Sequence, residues 1–250
     1  MDNVAISVKN VSMMFNLSRD KVMGLKEYVV KAFKGQLYYD EFWALKDISF
    51  EIARGEICGI LGLNGAGKST LLKLVAGVFK PTKGSIVVSG EVAPLLELGA
   101  GFDYEFSAKE NVYMNGAMFG HSPSHMETLY KDIMDFADLW EFENVPLKNF
   151  SSGMSARLGF AVATQVNPDI LIIDEILGVG DFRFMQKSEA RIHELLSGGT
   201  TVLLVSHAAE TIQRLCTRAM ILRQGKMVAI GAVDEICRMY QQGGNGGIIQ

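Results

Sequence analysis

The chain is poor in cysteine, has no excess of basic residues and contains no long apolar run, and each shortage excludes a class of protein. Its three cysteines, Cys58, Cys216 and Cys237, are too few and too scattered for a disulfide framework or a zinc cluster, and are expected to be buried thiols. With 24 Lys and Arg against 28 Asp and Glu, the formal net charge is −4, so the global basic excess usual in nucleic-acid binders is missing and no nucleic-acid partner is expected. No run approaches the ~20 apolar residues that span a bilayer. The N-terminus MDNVAISVKNVS lacks the charged, apolar and small-residue sections of a signal peptide. Any membrane role is therefore expected to come through a partner. What the chain does have is size and apolarity: 250 residues, 48% hydrophobic and 21% charged, enough for one large core or a core plus a subdomain.

Apolar and polar residues alternate over residues 4–11 and again over 43–52, which predicts two strands. Between them, Arg19, Lys21, Lys26, Lys31 and Lys34 accompany apolar residues at helical spacing. That is the pattern of a basic amphipathic helix, packed on the subunit's own surface or facing a partner or phospholipid. Apolar residues 57–61 lead through a glycine-rich turn into a helix over 69–78, followed by a strand over 86–88. The segment from 108 to 150 is mainly helical in pattern and looks like an inserted subdomain, about 95–165 in all. Beyond it, helices over 153–165, 184–196 and 208–215 alternate with strands over 170–173, 201–205 and 219–223. Strands separated by helices imply a parallel sheet covered on both faces. The domain is expected to span 1–241, with residues 242–250, four of them glycine, as a flexible tail.

Gly62-Leu63-Asn64-Gly65-Ala66-Gly67-Lys68-Ser69 fits the P-loop pattern, and it follows an apolar strand and precedes a helix, as that motif requires. Glycines let the backbone curl so that successive N–H groups point inward at phosphate oxygens. The start of the helix, with Thr70 in its first turn, adds its positive end. Lys68 is expected to bridge the terminal phosphates and Ser69 to ligate Mg²⁺. Ile170-Leu171-Ile172-Ile173-Asp174-Glu175 is a buried strand ending in two carboxylates. Asp174 is expected in the Mg²⁺ shell, and Glu175 is the candidate for polarising the attacking water.

Ser151-Ser152-Gly153-Met154-Ser155, between the helical segment and the Asp174 strand, resembles the signature motif of ABC-transporter ATPases. Asp181, six residues after Glu175, is similar to the family's D-loop aspartate, and Val205-Ser206-His207 to its switch histidine. The resemblance runs from Val4 to about Gly231 and implies an α/β P-loop NTPase fold of the ABC ATPase type. That fold has a mostly parallel core, an antiparallel β subdomain and the inserted helical subdomain. It also implies ATP and Mg²⁺ as cofactors and a homodimer, in which Ser152 and Gly153 of one subunit meet the γ-phosphate held by the other and His207 hydrogen-bonds that phosphate. Ser151, Met154 and Ser155 depart from the usual Leu-Ser-Gly-Gly-Gln. By the family's spacing the adenine-stacking aromatic is Tyr39, with Phe42 and Trp43 as competitors. The Q-loop glutamine has no obvious match, and Glu97 stands in that region as a possible Mg²⁺ ligand. LLELGAGF with Glu110-Asn111-Val112, the SSGMSARLGFAVA and DEILGVGD stretches, and the insertion before FWALKDISF look like the ATPases that export O-antigens, capsules and teichoic acids. That likeness implies lipid-linked polysaccharide as cargo, an integral membrane subunit as partner, and a place on the cytoplasmic face of the cell membrane. An exporter of a drug or another lipid shares the same core motifs. Soluble members acting on ribosomes or DNA usually bring two cassettes or a long coiled coil, which the chain lacks.

Overall fold

The structure, a computed structural model, describes residues 3–18, 39–95, 99, 101–118, 120–165, 168–174, 182–206 and 208–244. The expected basic helix over 19–34 lies outside the described residues. So do Glu97, Glu175, Asp181, His207 and residues 245–250, and for Tyr39 only the backbone is described.

Two long strands, β1 (Val4–Ser18) and β2 (Tyr39–Ala53), pair antiparallel from Val4 opposite Ala53 to Ser18 opposite Tyr39. Both extend well beyond the alternating runs, because irregularities in the ladder shift the register and break the strict period of two. At one of them Asn10 and Asp47 both take left-handed backbone angles, φ 50° and 53°, and the Asn10 amide donates to the Asp47 carboxylate at 3.0 Å. Strand β4 (Lys83–Val88) adds on the other edge of β1 and completes a three-stranded antiparallel sheet.

A second sheet carries β3 (Ile57–Leu61), β5 (Val92–Leu95), β6 (Ile170–Asp174), β7 (Thr201–Val205), β8 (Arg218–Arg223) and β9 (Lys226–Ala232), in the order β5-β6-β7-β3-β8-β9. All neighbours pair parallel except β8 with β9. Successive residues of a strand face opposite sides, and the two cores divide accordingly. Ile170, Ile172, Leu203 and Val205 pack toward helix α1 (Lys68–Val75) and the antiparallel sheet, alongside Ile6, Leu45 and Leu72. Leu171, Ile173, Val202 and Leu204 pack on the opposite side among the remaining helices. A strand buried on both faces reads as an unbroken apolar run, which is why β3, β6 and β7 stand out in the sequence.

Helix α1 stops at Val75 rather than reaching residue 78. Gly77, at φ 74°, turns the chain so that the Val78 N–H reaches back to the Lys73 carbonyl at 2.9 Å. The helical segment comprises α2 (Ala108–Met118), α3 (Pro123–Ala137) and α4 (Ser152–Gln165), with two short 3₁₀ turns before α4. Leu95 belongs to β5, so the helices begin after the sheet edge. Helix α5 (Phe182–Ser197) is fastened to this segment by Lys187, whose ammonium donates to the Asp135 and Phe136 carbonyls at 3.0 and 2.9 Å. The rings of Phe136, Phe160 and Phe184 meet pairwise, one from each of α3, α4 and α5. Helix α6 (Ala209–Leu215) follows β7, and α7 (Val233–Gly244) closes the described chain. The start of the expected tail is therefore corrected: Gln242, Gly243 and Gly244 are helical, on a helix anchored by burial of Ile236 and Cys237. Among the described residues no helix is long and apolar enough to cross a membrane.

Candidate nucleotide site

The P-loop leaves the C-terminal end of β3, which lies between β7 and β8 in the sheet. Ligands of parallel sheets gather at this carboxyl edge. Two of its glycines are sterically required. A Cβ on Gly62 would stand 2.5 Å from the Leu222 carbonyl of the neighbouring strand. Gly67 takes φ 104°, and a Cβ there would stand 2.8 Å from the Ala44 carbonyl. Gly67 is also the N-cap of α1 and supplies no capping side chain, so the amides of the first turn are left for an anion.

Lys68 is 7% exposed, and its ammonium folds back over the loop, donating to the Gly62 carbonyl at 2.8 Å and the Leu63 carbonyl at 3.3 Å. The Ser69 hydroxyl donates to Oδ2 of Asp174 at 3.2 Å. Lysine, serine and carboxylate thus border one cleft of about 410 Å³, which is also lined by Phe42, Ala44, Asn64, Gly65, Gly67 and Thr70. Two hard oxygen donors side by side at its edge suit Mg²⁺, which takes oxygen ligands and keeps several waters.

Phe42 is half exposed at the rim of this cleft, whereas Trp43 is partly buried with the Lys83 ammonium 5.1 Å from its ring centre. Between Phe42 and Trp43, it is Phe42 that borders the cleft. The strands leading to Glu175 and His207 end side by side, with Asp174 opposite Val205. Ser206 is buried, and its hydroxyl accepts the Ala208 N–H at 3.1 Å.

At the start of α4 the Ser151 hydroxyl accepts the Met154 N–H at 3.2 Å, so Ser151 is the cap and Ser152 is left exposed. Neither Ser152 nor Gly153 lines the Lys68 cleft of its own chain. A support missed by sequence reasoning is the β8–β9 turn. The Gly225 N–H donates to the Ala66 carbonyl at 3.0 Å, and its carbonyl accepts the Lys46 N–H at 2.7 Å, tying the P-loop to β2. Gln-Gly after an apolar strand is a hairpin signal, but nothing in it names the loop that it braces.

The family model described as ABC transporter matches residues 45–178. The O-antigen export system ATP-binding protein RfbB of Klebsiella pneumoniae is 42% identical over 243 residues, covering 95% of this chain and 97% of that protein. The teichoic acids export ATP-binding protein TagH of Listeria monocytogenes serotype 4b is 38% identical over 243 residues, covering 96% of this chain and 70% of that protein. Among solved structures, a dimeric ATP-binding cassette in a post-hydrolysis state, bound to ADP and Pi, superposes with a TM-score of 0.71 at 21% identity, covering 91% of this chain and 98% of that one. With a P-loop cleft of this construction, a matching family model and an RfbB relative 42% identical over nearly its full length, the chain belongs to the ABC transporter family.

Proposed function

We propose that this chain is the ATP-hydrolysing subunit of an exporter of lipid-linked polysaccharide or teichoic acid, acting as a homodimer with an integral membrane partner on the cytoplasmic face of the membrane. The observation that carries the ATPase reading is the single cleft bordered by Lys68, the uncapped start of α1 and the Ser69–Asp174 pair. In this reading, the amides of 62–70 and the Lys68 ammonium bind the phosphates of ATP, and Ser69 and Asp174 hold Mg²⁺, with Glu97 as a further ligand. Bound Mg²⁺ neutralises charge on the phosphate oxygens. Glu175 takes the proton of the attacking water, His207 orients the γ-phosphate, and Phe42 stacks on adenine. Ser152 and Gly153 act on the partner subunit's nucleotide, with Asp181 between the two sites. The exposed position of Ser152 away from its own cleft supports a composite site. The names of the relatives RfbB and TagH support the glycan cargo.

The test is a comparison of wild type and Ser152→Arg, both as the isolated subunit and assembled with the membrane partner. The substitution is expected to lower turnover of the assembly by about 10²-fold, the size of effect seen when one preorganised donor is lost, with nucleotide affinity of the isolated subunit unchanged. Loss of affinity in the isolated subunit would remove the trans assignment. Lipid-linked glycan should stimulate the wild-type assembly, and stimulation by a drug or another lipid alone would redirect the cargo.

A further inference from the structure

Residues 103–107 form the approach to α2, and a fully buried side chain from that helix reaches back into them. The Asn111 Oδ1 accepts the Asp103 N–H at 2.8 Å, and its amide nitrogen lies 2.9, 3.1 and 2.9 Å from the Asp103, Phe106 and Ser107 carbonyl oxygens. Two N–H groups thus serve three acceptors, and the carboxamide has no donor to spare. Ser107 and Glu110 add a reciprocal capping box: the Ser107 N–H donates to the Glu110 carboxylate at 2.8 Å, and the Glu110 N–H to the Ser107 hydroxyl at 3.3 Å. The Glu110-Asn111 pair therefore fastens the approach loop to the start of its own helix.

The same loop is bonded to the segment that leads into α4. The Leu147 N–H donates to the Phe106 carbonyl at 3.0 Å and the Lys148 N–H to the Tyr104 carbonyl at 2.9 Å, while Ser107 bridges Pro146. The Phe106 carbonyl is therefore the shared acceptor of Asn111 and Leu147. Leu147, itself fully buried, opens the 3₁₀ turn Leu147–Asn149, and the Phe150 N–H returns to its carbonyl at 2.9 Å. Next come Ser151, the cap of α4, and the exposed Ser152. Pulling the loop from α2 would leave the Asn111 carboxamide unpaired where water does not reach, which costs more than a hydrogen bond is worth on balance. The turn before Ser152 thus keeps a fixed place relative to α2.

We infer that Asn111 is a positioning residue for the Ser152 end of α4: its carboxamide holds the 103–107 loop, and the loop sets the place of the turn from which Ser152 and Gly153 emerge. The inference rests on the proposed reading that those two residues act on the partner subunit's nucleotide. Asn111 forms no hydrogen bond to either and acts through Phe106 and Leu147. Position matters there because a group displaced by about 1 Å can cost on the order of 10²-fold in rate. Asparagine suits the task because aspartate would set a carboxylate against three carbonyls, and serine is too short to reach them.

The test is a double-mutant cycle on ATP turnover by the subunit assembled with its membrane partner. Asn111→Ser should lower kcat by about tenfold or more, while the isolated subunit binds ATP as wild type does. Ser152→Arg blocks the contact outright, so adding Asn111→Ser to it should change kcat by no more than roughly twofold. Multiplying losses, or weaker ATP binding by the isolated Asn111→Ser subunit, overturn the positioning role and leave the composite site standing. Unchanged turnover of Ser152→Arg overturns the composite site, and the inference with it. Ser122→Ala, which removes the N-cap of α3 in the same helical segment, is the stability control. It should lower the melting temperature and leave kcat unchanged, and an equal loss of kcat would show that any weakening of the segment suffices, against a special role for Asn111. Should Asn111→Ser not fold, hydrogen exchange of the wild-type assembly decides: the Leu147 and Lys148 amides are expected to be as protected as those in the middle of α4, and exchange as fast as in exposed loops overturns the link.

Discussion

The Ser69 hydroxyl donates to Oδ2 of Asp174 at 3.2 Å, joining the first turn of α1 to the end of β6 across 105 positions of sequence. This bond keeps the two oxygen donors at one edge of the cleft. Ser69→Ala removes a hydrogen bond to a charged group, worth about 1.5–3 kcal/mol, as well as one donor to the cation. Mg²⁺-dependent ATP binding should weaken by roughly tenfold or more, while binding without Mg²⁺ changes little. Calorimetric titration with and without Mg²⁺ distinguishes the two, and equal losses under both conditions would count against the cation role.

Gly67 lies where α1 begins, at φ 104° and within 2.8 Å of a backbone oxygen if given a Cβ. Gly67→Ala adds strain on the order of 1–3 kcal/mol and pushes the loop off Ala44. ATP affinity should fall about tenfold or more. Gly77→Ala is the control, because Gly77 has φ 74° but open space around the added carbon. It should lower the melting temperature and leave ATP affinity unchanged. Equal effects of the two on affinity would show that the loop's geometry is not the sensitive element.

Phe42, half exposed at the cleft, and Tyr39, at the far end of the β1–β2 ladder, make opposite predictions. An aromatic stacking partner contributes about 0.5–1.5 kcal/mol, so Phe42→Ala should weaken ATP binding by roughly two- to tenfold. Tyr39→Ala should have no such effect. Fluorescent-nucleotide titrations of both variants decide between them, and the reverse ranking would return the role to Tyr39.

Cys58 is fully buried under the P-loop sheet, and its thiol is pushed up from 9.0 to about 12, first by burial and then by the Glu56 carboxylate. The native chain therefore holds this proton where the unfolded chain releases it. The resulting stability is fully present below pH 9 and is lost as pH rises from 9 toward 12. The stability advantage of wild type over Cys58→Ala should shrink across that window, measured by denaturant midpoints from pH 8 to 11. A constant difference would mean that the thiol does not titrate with unfolding.

Much of the fold was legible because local chemistry signals it. The unbroken apolar runs at 57–61, 170–173 and 201–205 are what strands buried on both faces require, and the helices between them set the parallel order. The P-loop was legible for the same reason: only glycine survives at Gly62 and Gly67, and lysine, serine and carboxylate are the chemistry that phosphate and Mg²⁺ demand. Less legible were the full lengths of β1 and β2, whose register shifts interrupt the alternation, and strand β5, where Val92–Leu95 is too short to carry a period.

The sequence alone determined which residue types could handle phosphate, and in what order along the chain, because those requirements are satisfied by side-chain chemistry and short-range backbone geometry. Tertiary structure alone decided that Phe42 rather than Trp43 borders the cleft, that Ser151 rather than Ser152 caps α4, and that the Gln224–Gly225 turn braces the P-loop. Those choices depend on which groups, distant in sequence, come within a few ångströms of one another, and no local pattern of residues encodes that distance.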